Sequence, residues 1–67
     1  MKPETRLEIA QRLVAEAEGL VLRQQQLVAV LEKDGHRTTE ALRMLNQFEA
    51  AQANFRRTLA LMQSLRL

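Results

Sequence analysis

His36 is the only histidine in the chain, and it stands among Asp34, Arg37, Thr38 and Thr39. A His close to a carboxylate and hydroxyls is raw material for general-base chemistry. A base also needs its acid or nucleophile within hydrogen-bond reach, held there by a second element. All of these neighbours belong to one short stretch, so the expected role of Gly35, His36 and Thr38 is a turn with helix caps. Glu4, Glu8, Glu16, Glu18 and Glu32 raise the question of carboxylate metal ligation. A di-metal site in a helical bundle draws on inward-facing Glu with a Glu-x-x-His spacing, and that spacing is absent. With no Cys and a single His, neither a thiolate nor a multi-His metal site can be built. These Glu residues are read as solvated surface, and no metal or cofactor is expected.

Arg43, Arg56, Arg57 and Arg66 give the second half of the chain its basic character. Such residues can contact a phosphate backbone, but only Arg56 and Arg57 are adjacent, and Glu40 and Glu49 dilute the row. The two Phe residues, Phe48 and Phe55, are the only aromatics, too few for a base-stacking platform. The sequence contains no Gly-rich phosphate loop, no Ser/His/Asp or Cys/His set and no HExxH spacing. No catalytic residue and no enzyme is expected.

The elements that position these residues follow from Pro, Gly and the apolar period. Pro3 suits a first helical turn, Gly19 interrupts a helical pattern at a cost of about 1 kcal/mol relative to Ala, and Gly35 follows Leu31-Glu32-Lys33-Asp34 where a left-handed residue would end a helix. Thr38 or Thr39 can cap a new helix, with Glu40 in its first turn. The expectation is a single domain over residues 1–67: helix 1 over about 4–34, a turn at 35–37 and helix 2 over about 38–65.

Heptads run through both segments. In helix 1, position a falls on Ala10, Ala17, Gln24 and Leu31, position d on Leu13, Leu20 and Leu27, and position e on Leu7, Val14, Val21 and Val28. In helix 2, position a falls on Leu45, Gln52 and Leu59, position d on Ala41, Phe48, Phe55 and Met62, and position g on Met44, Ala51, Thr58 and Leu65. Folding the chain back about His36 pairs residues whose numbers sum to about 72, which sets a against d throughout and small against large. Ala10 then meets Met62, and Ala17 meets Phe55. The fold class expected is all-α, an antiparallel two-helix hairpin packed like a coiled coil. Gln24 and Gln52 interrupt the apolar seam and are read as a polar layer, hydrogen-bonded to each other, that fixes register. Met44 and Met62 are read as core filler.

A 67-residue chain buries only about 60% of its unfolded surface and is marginal alone. Without disulfides or metal, association is the remaining support. Apolar residues make up 46% of the chain, which argues against disorder. They also extend beyond one seam: Leu7, Val14, Val21 and Val28 on helix 1 and Met44, Ala51 and Leu65 on helix 2 form a candidate association face, while Ile9, Leu22, Val30, Leu42 and Leu61 lie outside the stripes. Three apolar positions per heptad fit a multi-helix bundle, and the commonest closure is a two-fold homodimer of four helices. A different helical protein is the other candidate partner.

Net charge is +2, divided as −1 over residues 1–34 and +3 over residues 35–67, a mild tilt that solubility accounts for. The longest apolar run, Leu27-Val28-Ala29-Val30-Leu31, falls far short of the ~20 residues of a membrane span. A surface-lying membrane helix would carry Trp and a Lys/Arg-rich polar face, which are missing. No leader pattern opens the chain. A cytoplasmic protein without a membrane partner is expected.

The stretch Leu31-Glu32-Lys33-Asp34-Gly35-His36-Arg37-Thr38-Thr39-Glu40-Ala41, preceded by Arg23-Gln24-Gln25-Gln26-Leu27-Val28, resembles a group of short alphaproteobacterial helical-hairpin proteins. Their marks are an acidic-Gly-His turn, a Thr pair and a Leu-rich helix. The resemblance covers the turn and roughly twenty residues on either side. It implies a bacterial cytoplasmic protein and carries no activity. In that group an Asp commonly follows the His and could form a capping box with the residue at Glu40. Here Arg37 stands in its place, so Thr38 takes over as cap. The function expected is a self-associating, non-enzymatic interaction module, an adaptor or regulator for a helical partner. The second reading is a small nucleic-acid-associated protein that uses the Arg-bearing helix.

Overall fold

Two helices account for nearly all of the chain. The computed structural model describes residues 2–65, with α1 at Arg6–Lys33 and α2 at Thr39–Leu65. Both segments are rich in Leu, Ala, Arg, Gln and Glu, which lose little freedom in a helix. At 1.5 Å per residue the 28 residues of α1 span about 42 Å. The molecule measures 50 × 26 × 13 Å, the dimensions of two rods side by side.

α1 starts two residues later than Pro3 and the apolar period suggest, because Thr5 is its N-cap. The Glu8 N–H donates to the Thr5 hydroxyl at 3.1 Å, and the Thr5 N–H donates to Glu8 Oε1 at 3.0 Å, completing a capping box. The backbone and hydroxyl of Thr5 hold the Glu8 carboxyl below its ordinary pKa, because bonds donated to the ionised form favour it. Just behind the cap, Arg12 bridges Glu4 at 3.1 Å and Glu16 at 3.0 Å.

At its far end α1 closes on Gly35, whose φ is +74°. The Gly35 N–H donates to the Glu32 carbonyl at 3.1 Å and the His36 N–H to the Leu31 carbonyl at 2.9 Å. This pair of bonds is the Schellman motif, which satisfies carbonyls the helix end leaves orphaned. The chain then turns through residues 36–38, and the Thr38 carbonyl accepts from the Leu42 N–H at 2.8 Å, placing Thr38 at the N-cap of α2. The fold is therefore the all-α hairpin that the heptads describe.

The seam differs from the expected one in rotation. Ala10, Ala17 and Gln24 of position a are buried, as expected, but so are Val21 at 6% exposure and Val28 at 7%, whereas Leu20 and Leu27 of position d are 40% and 45% exposed. α1 thus faces α2 with its a and e lines, turned by roughly 50° from an a/d seam. On one flank of the seam Phe55 and Met62 of α2, each half-buried, lie beside the small Ala10, and on the other flank Val21 lies beside Gln52. The buried apolar residues are Ala10, Ala17, Val21, Val28 and Ala41. All are small, and that makes a thin core.

Candidate interaction face

A hairpin has two broad faces, and the periodicity of each helix decides what lies on them. On α1 the d and g positions flank the seam on one side and the b positions on the other. On α2 the d and g positions share the first side and the e positions the second. Two clusters of side chains confirm the assignment. Arg6, Ile9, Ala10 and Leu13 of α1 meet Phe55, Thr58 and Met62 of α2 around a groove of about 250 Å³, all of the α2 members from d and g. Glu18, Val21, Leu22 and Gln25 meet Glu49, Gln52 and Arg56 around a second depression, on the opposite side.

The two faces differ in chemistry. The second is polar and is bridged by an ion pair, Arg56 Nη2 to Glu18 Oε1 at 3.3 Å. Both side chains are about half exposed, so this pair contributes at most about 1 kcal/mol, yet it keeps that face wetted. On the first face lie Ile9, Leu20, Leu27, Val30 and Met44, all exposed, with Leu13, Phe48, Phe55, Met62 and Ala51 half-buried among them. On the second face Leu22 and Leu42 are exposed singly, and Leu61 is exposed elsewhere, which is ordinary for a protein surface.

This placement corrects the association face drawn from periodicity. Val21 and Val28 are buried inside the hairpin, and Leu7 and Val14 are half-buried beside them, because the seam takes up the e line. Met44 and Leu65 do stand exposed on the apolar side, with Ala51 half-buried between. The residues missed are Leu20 and Leu27, together with the g-position Ile9 and Val30. Their signal was present in the sequence, since Ile9 and Val30 lie beside the d line and widen it.

The Gln layer is corrected as well. Gln24 is buried and its Nε2 donates to the Ala41 carbonyl at 2.9 Å. Gln52 is half-buried and lines the polar depression instead. A side chain reaching a backbone carbonyl of the other helix still ties the two helices in register, at a net value of about 1 kcal/mol.

In the turn, Gly35 and His36 serve through their backbone N–H groups, and the His36 side chain is exposed. The basic residues of α2 are partly neutralised. Arg43 pairs with Glu40 at 2.8 Å, Arg56 pairs with Glu18, and Arg57 donates to Asn54 Oδ1 at 3.2 Å; Arg66 lies outside the described residues. Among the described residues no three His, Cys, Asp or Glu side chains gather into a metal-sized cluster, and no helix is long and apolar enough to cross a membrane. Comparison with known protein families, curated proteins and solved structures finds no match to this chain.

Proposed function

We propose that this hairpin is a non-enzymatic association module that packs its apolar face against a second copy of itself to form a four-helix bundle. A small adaptor or regulator of a helical partner would use the same face. The observation that carries the reading is the asymmetry just described: six exposed apolar side chains (Ile9, Leu20, Leu27, Val30, Met44 and Leu65) sit on one side, and on the other lies a face bridged by an ion pair with Leu22 and Leu42 exposed singly.

Surface area supports it. A folded monomer of 7.7 kDa exposes about 4,300 Å² on the usual scaling, whereas this chain exposes 5537 Å². The excess is about 1,200 Å² per chain, or about 2,400 Å² for a pair, within the range of obligate homodimers. The thin core points the same way, since Ala and Val alone give a hairpin little burial to stand on. Pairing of Arg43 and Arg56 with Glu weighs against the phosphate-binding reading.

Sedimentation equilibrium at micromolar concentration tests the proposal. A mass near twice 7.7 kDa is expected. A helical, cooperatively melting chain that sediments as a monomer across the accessible range refutes it.

A further inference from the structure

The apolar face is its own complement. Residues on α1 that flank the seam pair across the helix midpoint when their numbers are reversed. Ile9 and Val30 sum to 39, as do Glu16 and Arg23, all at position g; Leu13 and Leu27 sum to 40, as does Leu20 with itself, all at position d. Two antiparallel copies of one helix meet in this way about a two-fold axis. α2 shows the same reversal: Phe48 with Phe55 sums to 103, Met44 with Thr58 to 102, and Ala51 with itself to 102. The two centres, near residue 20 on α1 and near residue 51 on α2, lie level with each other in the hairpin, since they too sum to about the fold-back register.

We infer that the second copy sits on the apolar face about one two-fold axis that crosses both helices at Leu20 and Ala51. α1 then lies antiparallel on α1, α2 lies antiparallel on α2, and the two turns point to opposite ends. This rests on the self-association reading through the apolar face and adds its direction and register.

Charge separates this arrangement from its rival. Glu16 of one copy falls opposite Arg23 of the other, twice by symmetry, at the edge of an apolar patch where an unpaired charge is costly. Glu16 already holds Arg12 on its own helix, whereas Arg23 has no carboxylate among the described residues, so the second copy supplies one. If both turns lay at the same end, α1 would meet α2 of the second copy. Glu16 would then face Thr58 and Arg23 would face Ala51, and neither would gain a partner. The polar face, with Glu18 and Arg56 already closed on each other, offers no comparable patch.

The absence of Cys makes the test direct. Leu20→Cys and Ala51→Cys are each oxidised alone; separate, fully reduced samples of the two are mixed in equal amounts, unfolded, refolded and oxidised together. Products are read by mass, which tells the two chains apart. Expected are covalent homodimers of each variant alone and no mixed species beyond background. Gln25→Cys on the polar face should link only slowly. If neither variant links alone but the mixture gives the mixed disulfide, the turns lie at the same end and the register is overturned. If Gln25→Cys links as fast as the others, the face is wrong. In both cases the unmodified chain still sediments as a dimer; a monomer there sinks self-association itself, and fast linking at Gln25→Cys overturns the apolar face. Circular dichroism of the reduced variants verifies folding, and Ala51→Cys, which changes one small side chain for another, keeps the test alive should Leu20→Cys unfold.

Discussion

The same substitution at the two glycines should move stability in opposite directions. Gly19 lies inside α1 on the side away from α2, and a Cβ built there comes no closer than 3.7 Å, to the tip of the Arg23 side chain. That is ordinary contact with a flexible group, so Gly19→Ala brings only the helix-propensity gain of about 1 kcal/mol. Gly35 has open space around it, with no atom within 4 Å of its added Cβ, yet its φ of +74° costs an L-residue about 1–2 kcal/mol. Gly35→Ala is therefore destabilising through the backbone alone, strained where the Schellman bonds to Glu32 and Leu31 demand a left-handed residue. The gap between the variants comes to about 2–3 kcal/mol. For a domain of this size 1 kcal/mol shifts the melting temperature by about 4–8 °C, so the two melts should stand about 8–24 °C apart. The assay is thermal unfolding followed by circular dichroism, at one protein concentration because the proposed association would make Tm concentration-dependent. Gly35→Asn should fall between Gly35→Ala and the parent. A Gly35→Ala protein as stable as the parent would refute the left-handed turn. A destabilised Gly19→Ala protein would show that the outer side of α1 is packed against something.

Four further outcomes are expected. Gln24→Leu should raise stability by about 1 kcal/mol, because burying a Leu contributes about 2 kcal/mol against about 1 for the lost bond to Ala41, while Gln24→Ala should lower it; urea unfolding decides the signs. Thr5→Ala removes one half of the capping box and should cost about 1 kcal/mol, seen as lost protection of the first-turn amides in hydrogen exchange. The Glu8 carboxyl is held below its ordinary value by Thr5, so its contribution is present at neutral pH and lost as pH falls through its folded-state value; Glu8→Gln should flatten the acid limb of a Tm–pH curve, and an unchanged limb would remove Glu8 from the account. Leu20→Glu should weaken self-association about 100-fold, from roughly 1–1.5 kcal/mol of burial lost per chain, whereas Leu22→Glu, also at an exposed Leu but off the apolar face, should leave the sedimenting mass unchanged.

Much of the fold is written plainly in the chain. Gly35 after a basic-ended helix gives the turn, and the two heptad frames with their fold-back register give the hairpin, since each depends on local chemistry or on simple periodicity. The cap of α1 was equally open to view: Thr5-Arg6-Leu7-Glu8 has the spacing of a capping box, and Pro3 drew the boundary too early. The rotation of α1 was not readable, because apolar lines flank position a on both sides, Leu at d and Val at e, and the pattern is symmetric about that line. What breaks the tie is volume on the other helix. Phe55 and Met62 lie beside the small Ala10 on one flank of the seam, which leaves the e-line valines to close on α2 from the other flank, as Val21 does beside Gln52. The face proposed to carry association is whatever the seam leaves over, so the rotation of α1 decides the candidate site directly.

That dependence also bears on why such an assembly would stop at two copies. An apolar patch matched to a different patch elsewhere on the molecule propagates into filaments, whereas a patch matched to itself is consumed by one partner. The d and g lines of both helices lie on one face of the hairpin, and in the proposed pairing each is its own reverse about a common centre. The opposite face is occupied by Glu18, Gln25, Glu49, Gln52 and Arg56, whose solvated charges resist a further layer. Leu22 at the rim of that depression, Leu42 on the same side and Leu61 elsewhere are too isolated to form a patch of their own. Exchanging the charges of the polar face for apolar residues, as in Glu18→Leu with Arg56→Leu, should therefore change the stoichiometry more than the stability, giving species larger than a dimer in light scattering. Retention of a single dimeric species after that exchange would mean that closure is set by the apolar face alone, and that the polar face does not limit growth.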